Sequence, residues 1–248
     1  MSALEFKSAD WDKHKMDMKR PFEPLEPVEA EIRIVDDALS ALVASGILPS
    51  AIYDREKYLA MRKAVKENFE IPWTAITPRM ARMIWAINAI RKPANMVAAG
   101  IFCGNTFICN AGAAVGPGAV YTAKALVGLE IKREEAERAE RNVRKIDPTG
   151  VAKILASDAV DFCAAWKESI DLLYLDADGD KGRGKGIYLA ITEAAWDKMP
   201  TGALLLAHNS INAAEALKDY LAWVRDGRNC RESVNMYMDG EGLEVSVK

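Results

Sequence analysis

The sequence predicts an α/β fold: a doubly wound, mostly parallel sheet of seven strands that ends in an antiparallel hairpin. Short apolar segments alternate with helical patterns from residue 95 onward, which is typical of βαβ units. The segment Leu172–Leu175 is continuously apolar, as a strand buried on both faces requires. Near the end, segments 232–238 and 243–247 flank the turn residues 239–242, which indicates the hairpin.

We expect two parts along the chain. Residues 1–74 should form an arm and a helical cap, and residues 75–248 should form the main domain. The polar, proline-containing segment 1–28 is expected to lie on the surface or on a partner. Apolar residues at helical spacing predict helices over 29–46 and 53–68.

A third helix should begin at Pro78, because Thr77 can cap it and proline suits its first position. Its methionines are expected in the core. Trp73 and Trp85 could line an aromatic pocket, but core packing is favoured. The elements that follow are strands at 95–99, 125–130, 152–156, 170–175 and 203–207, and helices at 105–115, 133–146, after Asp158, 187–199 and 213–226.

Composition narrows the function classes. The 248 residues include 33 basic and 36 acidic side chains, a net charge of −3, so no general electrostatic binding of nucleic acid is expected. The uncharged segment 93–123 is interrupted by glycine and asparagine, which favours a buried core over a membrane span. Without an apolar leader or a CxxC pair, the chain is expected to be cytoplasmic with reduced thiols.

A nucleoside-binding unit follows the first strand of the main domain. Gly100 and Gly104 lie in the turn between strand and helix, and Glu130 ends the next strand. Glycines let the backbone approach a ligand, and an acid at that strand end can bind ribose hydroxyls. Because the spacing departs from GxGxxG, a nicotinamide-dependent oxidoreductase is the weaker alternative.

Further polar residues follow the later strands in a recurrent order. They are Asp158, the segment Leu175–Asp178 and the pair His208-Asn209. With the glycine turn, Glu130 and the hairpin, this order resembles a class I S-adenosylmethionine-dependent methyltransferase of the catechol and caffeoyl-CoA O-methyltransferase branch. The resemblance implies a Rossmann-like methyltransferase fold, S-adenosylmethionine as cofactor and O-methylation of a small molecule. N- or C-methylation and a non-catalytic binding protein stay open.

The resemblance also implies which residues hold the cofactor. Glu130 would bind the ribose, Ile131 would pack on the adenine, and Ser157 and Asp158 would lie at the adenine edge. Ala98 replaces an acid that the family usually has two residues before the first glycine. The implied cofactor-binding residues are Gly100, Phe102, Gly104, Asn105, Thr106, Glu130, Ile131, Ser157, Asp158, Ala159 and Asp176.

For catalysis, the resemblance implicates Asp176 and His208, and Lys181, or alternatively Lys185, could assist acceptor deprotonation. His208 could be a general base, a metal ligand or a structural residue. Asp176, His208 and Asn209 align with a metal site of the family. Since an imidazole replaces one carboxylate, a softer ion than magnesium, or no ion, is expected.

The loop 179–186 is rich in glycine and carries Lys181, Arg183 and Lys185. It could close over an anionic acceptor, or it could be a solvated surface loop. The partners predicted are a small aromatic or anionic acceptor and a second copy of this chain in a homodimer. Neither nucleic acid nor membrane is expected as a partner.

Overall fold

One sheet of eight strands forms the centre of the computed structural model, which describes residues 4–179 and 182–248. The strands are β1 (Leu4–Lys7), β2 (Asn95–Ala99), β3 (Ala125–Glu130), β4 (Ala152–Ala156), β5 (Leu172–Leu175), β6 (Leu204–His208), β7 (Glu232–Tyr237) and β8 (Leu243–Val247). Their order across the sheet is β1-β7-β8-β6-β5-β2-β3-β4. Only β8 runs antiparallel to its neighbours, β6 and β7. The predicted fold class, including the terminal hairpin, is confirmed.

The seven predicted strands are β2 to β8, and their bounds differ from prediction by two residues or fewer. The eighth strand, β1, was missed, because its segment had been predicted as a surface arm. It pairs parallel to β7, with Phe6 opposite Met236. Three of its four residues are exposed, so its sequence shows little of the apolar alternation that identifies a strand. Backbone hydrogen bonds to an existing sheet edge stabilise it instead.

Eight α-helices surround the sheet within the described residues. They are α1 (Val28–Ala44), α2 (Arg55–Asn68), α3 (Pro78–Arg91), α4 (Asn105–Ala111), α5 (Arg133–Arg144), α6 (Ala159–Ala165), α7 (Tyr188–Trp196) and α8 (Lys218–Val224). The predicted start of α3 is confirmed, since the Thr77 side chain accepts a hydrogen bond from the Met80 amide and Pro78 is the first helical residue. None of these helices has the length and apolar character of a membrane span.

Two hydrophobic cores cover the two faces of the sheet. One contains residues of α1 to α5, and the other contains residues of α6 to α8. Met80, Met83 and Trp85 are completely buried in the first core, as predicted. The cap helices α1 and α2 share this core with the strands, and the division at residue 74 stays a prediction.

The N-terminal arm is attached to α3 by a buried arginine. The Arg79 side chain is only 1% exposed and forms two hydrogen bonds with each of two arm carboxylates. Its nitrogens lie 2.9 Å from Asp10 and 2.6 and 2.7 Å from Glu26. Within the arm, the Met18 carbonyl accepts a hydrogen bond from the Thr74 amide. This attachment places the arm beside the carboxyl ends of the strands.

Candidate active site

A cavity of about 680 Å³ lies at the carboxyl ends of β2 to β6. This is the edge at which ligands bind in open α/β sheets. Its walls come from the loops after these strands, from the arm at Met18 and from the loop before α3. The predicted site residues that line it are Gly100, Phe102, Asn105, Thr106, Glu130, Ile131, Ser157, Asp158, Ala159, Asp176, His208 and Asn209.

The glycine turn is shaped by close backbone packing. Gly100 has a φ of +79°, and a Cβ there would lie 2.3 Å from backbone atoms of Ala177. Gly104, with a φ of +89°, faces Ala139 of α5 at 3.2 Å and does not line the cavity. Both glycines therefore let chain segments approach each other. Gly100 also lines the cavity, so the ligand contact predicted for it stays a prediction.

Glu130 is held by backbone amides at the end of β3. Its Oε2 accepts a 2.8 Å hydrogen bond from the Phe102 N–H, and its Oε1 accepts a 3.1 Å hydrogen bond from the Lys132 N–H. Each carboxylate oxygen can accept a second hydrogen bond. The next residue, Ile131, lines the cavity with 57% of its surface exposed. A carboxylate and an apolar surface therefore lie side by side.

The loop after β4 forms the adjoining wall. Asp158 caps α6, because its Oδ1 accepts hydrogen bonds from the amides of Val160 and Asp161.

Across the cavity, Asn105 donates its side-chain amide to Thr74. The Asn105 Oδ1 is buried and has no hydrogen-bond partner in the described part of the chain. An unpartnered buried acceptor on a cavity wall is free to bind a donor on a ligand.

Trp73 lies on the cavity wall, so the prediction of core packing was wrong for this residue. It is 46% exposed and stacks on Phe102, with ring centroids 4.7 Å apart at an angle of 34°. It lies in an irregular segment before α3, where no periodic pattern could have indicated its orientation. The two rings give the cavity an aromatic surface.

Asp176 is the centre of a charged cluster after β5. Its Oδ1 accepts a 2.8 Å hydrogen bond from Lys185 Nζ, which also donates to the Asp176 carbonyl at 2.8 Å. His208 Nδ1 lies 3.4 Å from the same Oδ1, which is an ion-pair distance rather than a well-formed hydrogen bond. One carboxylate oxygen thus faces two cationic side chains.

The members of this cluster shift each other's protonation. Burial raises the pKa of Asp176, but the charges of His208 and Lys185 outweigh it and hold that pKa below its usual value. Burial lowers the pKa of His208, but the charge of Asp176 outweighs it and raises the pKa above its ordinary value. Each side chain therefore favours the charged form of the other, although His208 is only 1% exposed.

Sequence reasoning missed Glu241, which lies in the turn of the terminal hairpin and lines the cavity. Its Oε2 accepts a 2.9 Å hydrogen bond from the Asn209 side-chain amide, and Asn212 donates to the same atom. Burial and the nearby carboxylates raise the pKa of Glu241. The hairpin was recognised from its turn residues, but no local pattern indicates that Glu241 reaches Asn209.

Lys181 lies outside the described residues, so its predicted role stays a prediction. Two other cations of the same loop, Arg183 and Lys185, line the cavity. Arg183 is exposed there. Lys185, the alternative to Lys181 in that prediction, is the lysine that bonds Asp176.

The predicted metal set does not suit a divalent cation in this arrangement. The Oδ1 of Asp176 already accepts a hydrogen bond from Lys185 and faces His208 Nδ1 at 3.4 Å. In the described ranges, no group of three His, Cys, Asp or Glu residues could hold a metal ion.

Comparison with known proteins gives one family match and several structural ones. Residues 97–210 match the family model of a methyltransferase domain. No curated protein sequence matches the chain. Cofactor-bound Rv0187 from MTB is 18% identical, with 78% of this chain and 90% of that chain covered and a TM-score of 0.60.

Two O-methyltransferases are similar in structure at a TM-score of 0.57 each. The enzyme from Bacillus cereus, solved in complex with SAH, is 15% identical, with 86% of this chain and 96% of that chain covered. TomG from Streptomyces achromogenes, involved in tomaymycin synthesis and solved with SAM, is 16% identical, with coverage of 86% and 95%. At these identities the likeness shows a shared fold.

Proposed function

Because the chain carries a methyltransferase domain on the class I methyltransferase fold, we propose that it transfers the methyl group of S-adenosylmethionine to a hydroxyl group of a small molecule. One observation supports this most directly. Glu130 ends β3 on the cavity wall, beside the exposed apolar side chain of Ile131. This pairing offers an acceptor for ribose hydroxyls next to a surface for the adenine ring.

The residues on this side of the cavity suit the cofactor in chemical type. S-adenosylmethionine supplies an activated methyl group on a sulfonium sulfur. Glu130 binds the ribose, and Ile131 and Ala159 pack against the adenine, with Ser157 and Asp158 at its edge. The unpartnered Oδ1 of Asn105 accepts from the ammonium group of the methionine part. The remaining cofactor contacts that we propose are Gly100, Phe102, Thr106 and Asp176, with Gly104 shaping the turn through its packing on α5.

On the other side, His208 acts as the general base that removes the acceptor proton. Its Nδ1 faces Asp176, and its Nε2 has no partner among the described residues. Asp176 orients the ring and stabilises the imidazolium that forms when the proton arrives, as carboxylates do beside catalytic histidines. Because the charge of Asp176 raises the pKa of His208 above its ordinary value, the imidazole is a stronger base for this proton transfer.

Calorimetry with SAH and with S-adenosylmethionine tests the cofactor assignment. Glu130→Ala should weaken binding at least about tenfold, because it removes hydrogen bonds to a charged acceptor. Glu137→Ala is the matched control, since this glutamate is exposed on α5 and should leave binding unchanged. Equal affinity of Glu130→Ala and the parent chain, or no binding of either compound, would refute the assignment.

A panel of acceptors tests the reaction class. The stacked rings of Trp73 and Phe102 favour aromatic acceptors, and the exposed Arg183 on the cavity wall favours those that also carry an anionic group. Phenols, hydroxybenzoates and aromatic amines should be compared by SAH release and product mass. Methylation of the hydroxyl compounds is expected, whereas exclusive methylation of the amines would indicate N-methylation. SAH binding without turnover of any compound would favour a binding protein.

We also propose a cytoplasmic location and a homodimer. All four cysteines are buried and unbonded, which suits a reducing compartment. Sedimentation of the purified chain would measure its mass in solution, and a monomer at micromolar concentration would contradict the dimer.

A further inference from the structure

The carboxylate of Asp176 is already bonded to a cation that belongs to the chain itself. Lys185 Nζ lies 2.8 Å from Asp176 Oδ1 and 2.8 Å from the Asp176 carbonyl oxygen. Its side chain is only 16% exposed. Because His208 also approaches this Oδ1 at 3.4 Å, a divalent cation bound there would have to displace the Lys185 ammonium group.

The fold holds Lys185 in this place. The Gly179 amide donates a 2.8 Å hydrogen bond to the Gly184 carbonyl, which joins the two ends of the loop. Lys185 then begins a single 3₁₀ turn, Lys185–Ile187, that leads directly into α7. The Lys185 side chain therefore projects from the end of the loop that the Gly179–Gly184 hydrogen bond closes. Its ammonium group is thus positioned before any ligand binds.

Asn209, another residue of the predicted metal set, also has a partner in the chain. The side-chain amide of Asn209 donates to Glu241, and Asn212 donates to the same oxygen. Glu241 and Asp176 thus provide two carboxylates in this part of the cavity, and each is bonded to side chains of the protein.

We propose that Lys185 takes the place of a divalent cation in methyl transfer. An ammonium group has three N–H donors, and two of them bond Asp176 in this structure. The third binds the acceptor oxygen and stabilises the negative charge that develops there. This inference rests on the proposed function, and it adds that the reaction needs no metal ion.

The step balances without an oxidant or reductant. The acceptor O–H bond breaks, and its proton passes to His208. The new O–CH₃ bond forms as the S–CH₃ bond breaks, and that electron pair stays on the sulfur. Lys185 keeps all its protons and acts only through its charge and its hydrogen bond, so it is a catalytic residue by contact with the reacting oxygen.

The single remaining donor also defines the acceptor class. A metal ion with open coordination positions can bind two neighbouring hydroxyl oxygens at once, whereas one N–H binds one oxygen. The site should therefore accept compounds with a lone hydroxyl group and gain little from a vicinal diol. This distinguishes an ammonium site from a chelating one.

Metal binding is measured first, because it does not depend on knowing the acceptor. The purified full chain is titrated with Mn²⁺ and followed by electron paramagnetic resonance, in parallel with SAH calorimetry. We expect no Mn²⁺ binding in the micromolar range and unchanged SAH affinity after treatment with EDTA. Stoichiometric micromolar binding of Mn²⁺, or loss of SAH binding only after EDTA treatment, would overturn the inference. Absence of SAH binding both before and after EDTA treatment would instead refute the proposed function.

Turnover is then measured with Lys185→Met, Lys185→Arg and the control Lys124→Met, whose lysine forms an exposed ion pair with Glu168. Lys185→Met should lower kcat by about 100-fold or more, the size of effect seen when one oxyanion donor is removed, with SAH affinity intact. Lys185→Arg should keep part of the activity, and Lys124→Met all of it. Activity of Lys185→Met equal to that of the parent chain would overturn the inference.

A pair of acceptors completes the test. A monohydroxyl phenol and its vicinal diol are compared in the presence of EDTA, and similar kcat/KM values are expected. Methylation of the diol alone, or only after Mg²⁺ or Mn²⁺ is added, would show that a metal ion and not Lys185 binds the acceptor.

Discussion

The two halves of the cavity hold their central carboxylates in different ways. On the proposed cofactor side, Glu130 is bonded by the backbone amides of Phe102 and Lys132. On the proposed acceptor side, Asp176 is bonded by the charged side chain of Lys185 and faces His208. Backbone donors are uncharged and do not titrate, whereas side-chain partners do. Changes of backbone shape should therefore damage the first half, and changes of charge should damage the second.

The largest effect is expected from Gly100→Ala. A Cβ at this position would lie 2.3 Å from the backbone of Ala177, and the φ of +79° is unfavourable for alanine. Strain and overpacking together should lower the free energy of unfolding by about 3 kcal/mol or more, as measured by urea unfolding. Gly104→Ala, with its nearest contact at 3.2 Å, should cost less. If the two variants were equally stable, close packing would not explain Gly100.

A smaller effect is expected from Arg79→Met, which tests how charge holds the N-terminal arm that borders the cavity. Removing the buried guanidinium leaves the carboxylates of Asp10 and Glu26 without their partner, and breaking such a pair costs about 3 kcal/mol. Arg20→Met, on an exposed ion pair of the same arm, is the control and should be nearly neutral. If Arg79→Met unfolded at the same urea concentration as the parent chain, Arg79 would not anchor the arm.

The same contact has a pH dependence with a defined sign. Arg79 lowers the pKa of Asp10 to about 2, below its unfolded value near 3.8. The contribution of this ion pair to the free energy of unfolding is thus present above the pKa that Asp10 has in the unfolded chain. It is lost as the pH falls toward about 2. Unfolding measured between pH 5 and about 2 should show a weaker pH dependence for Asp10→Asn than for the parent chain. An unchanged slope would contradict the ion pair.

The most selective effect is expected from Asp176→Asn. The loss of charge should lower kcat by about 100-fold, within the range for general acid–base catalysis, while SAH affinity falls by a much smaller factor, because Asp176 is only one of several proposed cofactor contacts. Since Asp176 raises the pKa of His208, the ascending limb of the pH–kcat profile should also move to lower pH. An unmoved limb would show that His208 is not the base, and a lost SAH affinity would show that the two halves are not separable.

Much of the fold could be predicted, because its signals are local. The apolar strands β2 to β6, the Thr77-Pro78 helix start and the hairpin turn each depend on neighbouring residues. The strand β1 could not be predicted in this way, since its partner β7 lies more than 200 residues away in the sequence and its own residues are mostly exposed.

The residues of the candidate site also divide into those that local sequence patterns indicate and those that contacts between distant segments place there. Glu130 and the glycine turn follow from strand order alone, because parallel strands bring their carboxyl ends to one edge. The exposure of Trp73 and the reach of Glu241 to Asn209 depend on how loops from distant segments fold over that edge. No period or motif in the sequence describes such contacts.

By itself, the sequence determined the succession of strands β2 to β8 along the chain, the edge of the sheet where the site lies and the acid that ends β3, because apolar pattern and turn chemistry act over a few residues. Only the tertiary structure decided that Lys185 is the cation at Asp176, that Gly104 serves helix packing, and that Arg79 holds the arm against α3. These are contacts between charges and backbones far apart in the chain, and their energies depend on distance in space and on burial.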